Sequence, residues 1–516
     1  MCSIFFKPLG MKIIPIIISF FFCSNAFTQS TPANWCGTAE RMNAMFLNPE
    51  KAFVLQQDEI IRQQEAMSNP ALPKGVVYKI PVVFHILHNG GEENISEAQI
   101  FNALEVMTRD FRALNADTAD VIPLFKPLIG DVEIEFVFAT KAPNGACFRG
   151  FTRTQSPLTS LGDNGGAQVD AIRNGNDVFQ GNWPSNRYLN VFVVDHAGGA
   201  GGYTNYPSNW NLGDMSNGIW ILHTQFGEIG TSGTGAGRSM THEVGHWLNL
   251  PHTWGSTNTP GVAGNCSSDD GVSDTPLCVG ATAGCDLVQD DCGPVANIQN
   301  YMDYALNCQS MFTLGQSIRM RTAIQSSVGG RNNLWSTSNL ALTGGDEQIL
   351  CKSDFSSNKT AICAGEQVQF FDESFNSVSA WNWSFPGGVP ATSTDQNPIV
   401  TYSNSGVYTV TLTAIDGASS ETEIKNAFIS VLNAPSQLPF LESFESYTSL
   451  VGTNAWSVSN PGNNAQWEIS TVAAHSGSKS VRLANYNQPN GSFDELTASS
   501  VDLSGLTASN TVLSFR

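Results

Sequence analysis

One short stretch, residues 242–252, constrains the fold of this 516-residue chain more than any other. It reads HEVGHWLNLPH and holds three of the eight histidines. On a helix, His242 and His246 lie four residues apart on one face, so both imidazoles point the same way, as two nitrogen ligands of a zinc ion require. The carboxylate of Glu243, next to the first ligand, can then take a proton from a water molecule at the metal.

The end of this stretch predicts how a third ligand reaches the metal. Leu250 precedes Pro251, and a residue before proline is kept out of the helical conformation, so the helix should stop near Asn249. Asparagine tolerates a left-handed backbone, and a sharp turn there would return His252 to the metal and leave the fourth position to water. The alternative is a solvated His/Glu face on an ordinary helix, which three histidines at ligand spacing disfavour.

The motif resembles the extended zinc signature of the metzincin metallopeptidases, and residues 237–241 (GRSMT) resemble the pappalysin branch of that group. The family has glycine where this chain has Asn249. The resemblance covers residues 78–327. It implies an α+β metzincin catalytic domain, with a twisted mixed sheet, two main helices and a loop-rich lower subdomain, which cleaves polypeptides with zinc.

Residues 300–304 (NYMDY) resemble the Met-turn of metzincins. The resemblance makes Met302 an apolar floor beneath the imidazoles and Tyr304 the source of a hydroxyl that hydrogen-bonds the oxyanion of the tetrahedral intermediate. A methionine in a loop is usually core packing. Its place about fifty residues after the histidines favours the Met-turn.

Hydrophobic periodicity places the catalytic domain at residues 76–330. Strands are predicted at 76–87, 132–139, 188–194 and 218–223, and helices at 96–114 and 315–326. The sheet should form the upper wall of a substrate cleft, with an edge strand that can pair with an extended peptide. Gly198–Tyr203 is predicted to be a flexible loop before that edge strand. The remaining candidate histidines are predicted to be structural because the ligand set is complete: His85, His88, His196 and His223.

The N-terminus predicts export. Lys12 precedes an apolar run at 13–22 that is too short to span a bilayer, so residues 1–26 are predicted to be a signal peptide. A buried helix is the alternative, which the terminal position disfavours. We predict no membrane span and a secreted protein. The formal net charge of −20 argues against a nucleic-acid partner, since phosphate binding needs a basic surface.

Residues 27–75 are polar and glutamine-rich and are predicted to be a propeptide. Eleven cysteines fit an oxidising compartment, and removal of Cys2 and Cys23 with the signal leaves an odd number. Cys36 is the candidate for the unpaired thiol. Its thiolate could occupy the fourth zinc position and keep the enzyme latent, as the cysteine switch of related pro-segments implies. A disulfide at Cys36 is the alternative.

Cysteines concentrate between residues 266 and 308, where the family pattern implies the disulfides Cys266–Cys292 and Cys285–Cys308, with Cys147 as a candidate partner for Cys278. An acidic segment at 269–275 could surround calcium. The matching pappalysin loop implies four ligands, namely Asp270, the Val272 carbonyl, Thr275 and, as a further candidate, Asp274. A turn held by Asx hydrogen bonds is the alternative.

Residues 350–433 show short alternating strands, and their WSFPGG, NP and GVYTVTL stretches resemble a PKD domain, an immunoglobulin-like β-sandwich. Trp381 and Trp383 could form a sugar-binding platform, but one buried core tryptophan is favoured. Cys351 and Cys363 are predicted to pair. Residues 437–516 resemble the start of a truncated jelly-roll adhesion domain, and these β-modules could contact carbohydrate or a cell surface.

These features predict a secreted zinc endopeptidase that acts on extracellular polypeptides, with Glu243 as general base. One alternative is an adhesin whose metalloprotease domain is inert, although such a protein has little need to retain Glu243. A weaker alternative is a zinc aminopeptidase, which would require an anchor for the substrate's N-terminal amine.

Overall fold

The computed structural model describes residues 34–68, 75–162, 165–282, 284–305, 307–346, 350–417, 419–433, 441–453, 455–460, 465–484 and 494–499. They divide into two units at residue 348. The predicted signal peptide lies outside the described residues.

The first unit contains both strands and helices. In chain order they are β1 (Asn34–Cys36), α1 (Thr38–Phe46), α2 (Pro49–Ser68), β2 (Tyr78–His88), α3 (Glu97–Phe111), β3 (Ile134–Phe138), β4 (Phe151–Gln155), α4 (Gly165–Gly175), β5 (Leu189–Val194), β6 (Ala200–Tyr203), β7 (Ile219–Leu222), α5 (Arg238–Trp247), α6 (Leu314–Gln325), α7 (Arg331–Leu334) and α8 (Thr337–Thr343).

A seven-stranded mixed sheet runs in the order β1-β6-β7-β5-β2-β3, and β4 also pairs with β2. Only the β6–β7 pair is antiparallel among the pairings of this sheet. Strand β2 is long enough for residues 78–82 to pair with β3 and residues 84–88 with β4. The predicted twisted mixed sheet is therefore confirmed.

Both faces of the sheet are buried, as parallel strands covered by helices require. Along β2, Val82 and Phe84 contribute to one hydrophobic cluster, which also contains side chains of α3, α5 and α6. Val83 and Leu87 contribute to a second cluster on the opposite face, with side chains of α4. This two-residue alternation fixes which face receives α5, the helix of the histidine motif.

A buried ionic cluster holds the start of α5 against α3. The carboxylate of Asp110 accepts hydrogen bonds from the guanidinium of Arg238 and, at 2.7 Å, from the hydroxyl of Thr241. The same guanidinium donates to the Tyr301 hydroxyl at 2.7 Å and forms an ion pair with Asp117 at 3.0 Å. The orientation of α5 is thus coupled to the 300–304 turn.

The strands and helices predicted for this unit are confirmed, with ends shifted by a few residues. Ser96 caps α3, since its side chain accepts from the Gln99 amide. The prediction of a loop at Gly198–Tyr203 is wrong in part, because Ala200–Tyr203 is itself the strand β6. Strands β1 and β4 and helices α1 and α4 were not predicted, and α7 and α8 extend the unit beyond residue 330.

Two β-sheets form most of the second unit. Its strands are β8 (Phe355–Ser357), β9 (Ala361–Cys363), β10 (Gln367–Asp372), β11 (Ala380–Ser384), β12 (Gly388–Val389), β13 (Thr392–Ser393), β14 (Ile399–Tyr402), β15 (Gly406–Asp416) and β16 (Ser419–Leu432). The sheets run β12-β14-β10-β8 and β13-β11-β15-β16-β9. Trp383 is buried in their common core and Trp381 only partly packs against it, so the predicted single core tryptophan is confirmed.

The last described segments contain β17 (Trp456–Ser459), β18 (Trp467–Ser470), β19 (Ser480–Leu483) and β20 (Glu495–Ala498). They form two antiparallel pairs, β17–β20 and β18–β19. The jelly-roll interpretation remains a prediction. Residues 500–516, where the sequence suggested a truncated strand, lie outside the described residues. Within the part of the chain that the structure describes, no helix is long and apolar enough to cross a membrane.

The implied disulfides Cys266–Cys292 and Cys285–Cys308 are present. The suggested Cys147–Cys278 pair is wrong, because the thiol of Cys278 is free. Cys278 is buried among apolar side chains beside Trp254, whereas the hairpin that contains Cys147 packs on the opposite face of the sheet. Cys147, Cys351 and Cys363 are disulfide-bonded, and the pairing of Cys351 with Cys363 remains a prediction.

The Asp110 cluster yields a stability prediction. Asp110→Ala leaves the Arg238 guanidinium without its buried counter-charge, so we expect the free energy of unfolding of this unit to fall by about 3–5 kcal/mol. Asp120→Ala is the control, because this carboxylate is exposed and its loss should change stability by about 0.5 kcal/mol or less. Urea unfolding followed by tryptophan fluorescence measures both. Equal stability of the two variants would contradict the structural role of the cluster.

Candidate metal centre

Three imidazoles converge at the C-terminal half of α5. The Nε2 atom of His246 lies 3.0 Å from that of His242 and 3.2 Å from that of His252. All three side chains are buried. The structure therefore brings together the three histidines that the sequence singled out, with one nitrogen of each ring facing a common point.

Backbone carbonyls fix which nitrogen of each ring faces that point. The Nδ1 atom of His242 is 2.7 Å from the Tyr301 carbonyl, that of His246 is 2.6 Å from the Leu250 carbonyl, and that of His252 is 3.1 Å from the Thr257 carbonyl. A carbonyl can only accept, so each Nδ1 carries the proton. Each Nε2 consequently presents a lone pair to the centre.

The turn that returns His252 has the predicted backbone conformation. Asn249 has a φ of +76°, in the left-handed region, directly after the end of α5. Its carbonyl accepts a hydrogen bond of 2.7 Å from the Arg319 side chain of α6, and the Leu250 amide donates back to the Gly245 carbonyl at 3.0 Å. The asparagine thus serves the turn for which the family has glycine.

The donor set fits a divalent transition metal. Burial lowers the pKa of His242 to about 4 and holds the pKa values of His246 and His252 well below their usual range, so all three rings stay neutral at physiological pH. Three nitrogen lone pairs that face one another about 3 Å apart repel unless a cation lies between them. Three neutral imidazoles with an open fourth position are a donor set typical of catalytic zinc.

Glu243 is buried beside the three nitrogens, and burial raises the pKa of its carboxyl to about 8. Its Oε2 accepts a 2.9 Å hydrogen bond from the Thr38 hydroxyl, which itself accepts from the Thr204 amide at 3.0 Å. Gly202 of β6 permits this close approach, because a Cβ there would lie 3.0 Å from Cγ of Glu243. The candidate base is thus held by the N-terminal segment.

The 300–304 turn passes beneath α5 as the resemblance implied. Met302 is fully buried, and its sulfur lies against the backbone of Gly245, where a Cβ would collide with it. The Met302 amide donates to Asn300 Oδ1 at 2.9 Å, and Asn300 exchanges side-chain hydrogen bonds with Gln316 of α6. Met302 therefore occupies a position under the helix that carries two of the three histidines.

Tyr304 lies at the edge of the site. Its ring centroid is 5.6 Å from that of His242 and 5.0 Å from that of His252. Its hydroxyl donates to Asn258 Oδ1 at 2.5 Å. The hydroxyl is thus held near the histidines by a residue of the loop that follows His252, a partner the sequence analysis did not identify.

Cys36 is brought to the same point from the other end of the chain. The Sγ atom of Cys36 and one ring nitrogen from each of His242, His246 and His252 all lie within 4.8 Å of one another. This is the one cluster of possible metal ligands among the described residues. The thiol is free and fully buried. Strand β1 pairs in parallel with β6, with Cys36 opposite Gly202, so the N-terminal segment occupies the edge of the sheet that was expected to receive an extended peptide.

Helix α2 adds a second attachment of the N-terminal segment to the unit. The buried carboxylate of Asp58 accepts from the Ser208 hydroxyl at 3.0 Å and the Asn209 amide at 2.9 Å. One turn on, Arg62 donates to the Pro207 carbonyl at 2.8 Å. Glu65 accepts from the Ser326 hydroxyl at 2.5 Å. These three side chains recur at helical spacing on one face of α2.

The acidic segment implied to bind calcium forms a compact turn. The Asp270 carboxylate accepts from the Thr275 hydroxyl at 2.7 Å and from the Val272 amide at 2.9 Å, and the same hydroxyl lies 2.7 Å from the Val272 carbonyl. Burial raises the pKa of Asp270 to about 6. The carboxylate of Asp274 instead accepts from Thr313 and Gly315 at the start of α6.

The other candidate histidines lie outside the cluster, within the described residues. The ring of His85 is buried in the sheet, 2.9 Å from the Thr152 hydroxyl and 3.1 Å from Asn190 Oδ1. His223 lies 3.0 Å from the Thr231 hydroxyl. Their assignment as structural residues agrees with these contacts.

Sequence reasoning missed Thr38, Asn258 and Asp58. Thr38 is 205 residues from Glu243 in the chain, and Asn258 is 222 residues from Cys36, so no local pattern connects them. The available signal for Thr38 was its place two residues after Cys36. For Asp58 it was the helical spacing with Arg62 and Glu65.

Comparison with known proteins places this geometry in a family. A model described as pregnancy-associated plasma protein-A, of peptidase M43, matches residues 173–325, and a PKD domain model matches residues 354–431. Extracellular metalloprotease 1 of Coccidioides posadasii is 35% identical over 192 residues, which cover 35% of this chain and 62% of that protein. An extracellular metalloprotease of Verticillium alfalfae is 34% identical over 143 residues, or 26% of this chain and 49% of that protein. The chain thus spans between about half and 62% of the length of these curated relatives.

A solved structure adds a likeness in fold over a larger part of the chain. A promirolysin mutant of Tannerella forsythia is 32% identical, covers 60% of this chain and 99% of its own, and superimposes with a TM-score of 0.50. This chain also has the three converging histidines, the turn beneath them and the mixed sheet described above. On these grounds the chain, in which a PKD domain follows the peptidase region, belongs to the pappalysin family of metzincin metallopeptidases.

Proposed function

We propose that the protein is a secreted zinc endopeptidase, made as a latent precursor, which hydrolyses peptide bonds of extracellular polypeptides. The observation that carries the proposal is the convergence of three neutral Nε2 atoms, from His242, His246 and His252, beside the buried carboxylate of Glu243. Zinc bound by these nitrogens would supply Lewis acidity that polarises a scissile carbonyl and acidifies water.

Glu243 is the general base in this proposal. Its carboxylate takes the proton of the attacking water and later gives it to the leaving amine. The place of Glu243 next to the ligand His242, buried in the same site, supports this role. In the present structure the Thr38 hydroxyl occupies one oxygen of the carboxylate, so the base becomes available when the N-terminal segment leaves.

Tyr304 is proposed to donate its hydroxyl to the oxyanion of the tetrahedral intermediate. The ring stands beside two of the three imidazoles, and the single hydroxyl proton, now donated to Asn258, would turn to the oxyanion as its charge develops. A donor directed at the developing charge is worth roughly 10²–10³ in rate. Met302 shapes the floor and takes no part in proton transfer.

Cys36 is proposed to maintain latency. Its thiol is free and belongs to the metal-ligating cluster, and a coordinating thiol next to a cation is deprotonated. Strand β1 covers the edge of β6, and Thr38 occupies Glu243. The segment therefore blocks the metal position, the base and the peptide-binding edge together.

The proposal includes export, a calcium ion and a wider role for the β-modules. The name "extracellular" of both curated relatives supports secretion. Oxygens of Asp270, Val272 and Thr275 lie within hydrogen-bonding distance of one another, which is compatible with a hard cation that replaces the Thr275 bonds. Contact of the β-modules with carbohydrate or a cell surface remains a prediction.

The first test is chemical. We expect Glu243→Gln to retain zinc while the rate of casein hydrolysis falls at least about 10²-fold, because only the base is lost. Metal analysis of the purified protein and the casein assay, each with and without a chelator, measure this. Release of terminal residues without internal cleavage would favour the aminopeptidase, and a zinc-loaded wild type that hydrolyses no casein would favour the inert adhesin.

Latency is tested on the unprocessed protein. We expect Cys36→Ala to raise the activity of the uncleaved chain at least about tenfold, the effect of losing a contact worth 1.4 kcal/mol or more. Cys278→Ala is a matched control, because Cys278 is the other free and buried cysteine among the described residues. Similar latency in both variants would rule out the switch.

Calcium is tested by thermal unfolding. We expect added calcium to raise the melting temperature, since a ligand at 100 times its Kd stabilises the native state by about 2.7 kcal/mol. Asp270→Asn should abolish this rise. Asp274→Asn should lower the melting temperature equally with and without calcium, because its carboxylate holds the start of α6. A calcium response that survives Asp270→Asn would contradict the assignment.

A further inference from the structure

The strand β1 is a peptide seated in the cleft, and its contacts reveal which groups can grip a peptide backbone there. On one side, the Gly37 amide donates to the Gly202 carbonyl of β6 at 2.9 Å. On the other side, the Asn258 side-chain amide donates to the Cys36 carbonyl at 2.7 Å. A main-chain carbonyl is present in every peptide, so this second contact does not depend on the cysteine side chain.

The same Asn258 side chain also holds Tyr304. Its Oδ1 accepts the 2.5 Å hydrogen bond from the Tyr304 hydroxyl while its Nδ2 donates to Cys36. The amide therefore connects a peptide carbonyl at the metal centre with the hydroxyl proposed to reach the oxyanion. The bond to Oδ1 fixes the orientation of the amide, because the hydroxyl proton must meet the oxygen and the carbonyl must meet the nitrogen.

The loop that presents Asn258 is tied to the third histidine. The carbonyl of the preceding residue, Thr257, accepts from His252 and, at 2.9 Å, from the indole nitrogen of Trp254. The Thr257 hydroxyl donates to Asn265 Oδ1 at 3.1 Å. A residue next to such an anchored position is held at a constant place relative to the three nitrogens.

We propose that Asn258 grips the substrate backbone and positions Tyr304. In the precursor, the Cys36 carbonyl and the Glu40 carboxylate, 2.6 Å away, occupy its amide nitrogen. Departure of the N-terminal segment frees this nitrogen, which then donates to a carbonyl of a peptide bound along β6, while Oδ1 holds the tyrosine hydroxyl beside the site until its single proton turns to the oxyanion. This inference rests on the proposed peptidase function and adds a residue that assists binding without exchanging protons.

Two substitutions distinguish the role of the Asn258 amide nitrogen from the role of its oxygen. Asn258→Asp keeps an oxygen for Tyr304 and replaces the donor with a second acceptor, so we expect KM for a peptide substrate to rise about tenfold while kcat changes by less than about threefold. Asn258→Ala removes both contacts, and kcat should fall as well. Tyr304→Phe should lower kcat with little change in KM. Asn332→Asp, at an exposed position of α7, controls for the added charge.

These measurements use the full chain after activation by limited proteolysis, with zinc content determined for every variant. A KM for Asn258→Asp equal to that of Asn332→Asp would overturn the proposed hydrogen bond from Asn258 to the substrate backbone. A kcat for Asn258→Ala equal to that of the wild type would overturn the positioning of Tyr304. Inactivity of the zinc-loaded wild type would instead count against the proposed function.

A second readout does not depend on hydrolysis. In a Glu243→Gln background, Asn258→Asp places a carboxylate against the Cys36 carbonyl and the Glu40 carboxylate, so we expect trypsin to remove the N-terminal segment about tenfold faster. The Asn332→Asp protein in the same background is the control. Equal removal rates would show that Asn258 does not hold the backbone in the cleft, whatever the activity of the wild type.

Discussion

The site depends on three hydrogen bonds from imidazole Nδ1 atoms to backbone carbonyls. The accepting carbonyls belong to Tyr301, Leu250 and Thr257, which all lie in the long connection between α5 and α6. Each bond settles both the tautomer and the rotation of its ring, so three lone pairs meet at one point before any cation arrives. Every ring is buried, so the packing of the surrounding residues also holds this arrangement.

The stability of the unit and the geometry of the metal centre therefore share one network. Asp110 of α3 binds Arg238 at the start of α5, and Arg238 binds the Tyr301 hydroxyl. The carbonyl of the same Tyr301 orients His242. A change at Asp110 therefore reaches the metal ligand through two residues, Arg238 and Tyr301.

Local sequence predicted those parts of the site that neighbouring residues determine. Spacing alone placed His242 and His246 on one face, and the Asn249–Pro251 stretch predicted the left-handed turn that returns His252. The strand β6 escaped detection, because its sequence AGGY has the glycine content of a loop and its extended conformation comes from β7 on one side and β1 on the other. Partners distant in the chain, such as Thr38 with Glu243, leave no periodic signal.

The proposed latency uses the same features that would bind a substrate. A peptide in this cleft meets the edge of β6, the metal position and the base, and residues 34–38 engage all three at once. Such a segment escapes hydrolysis if water has no place at the metal and no base to activate it. A thiol at the nitrogens fulfils the first condition, and the Thr38 hydroxyl on Glu243 fulfils the second. Each condition impedes hydrolysis of the segment separately, since the reaction requires both an accessible metal and a free base. Cys36 and Thr38, on either side of Gly37, are thus expected to act together.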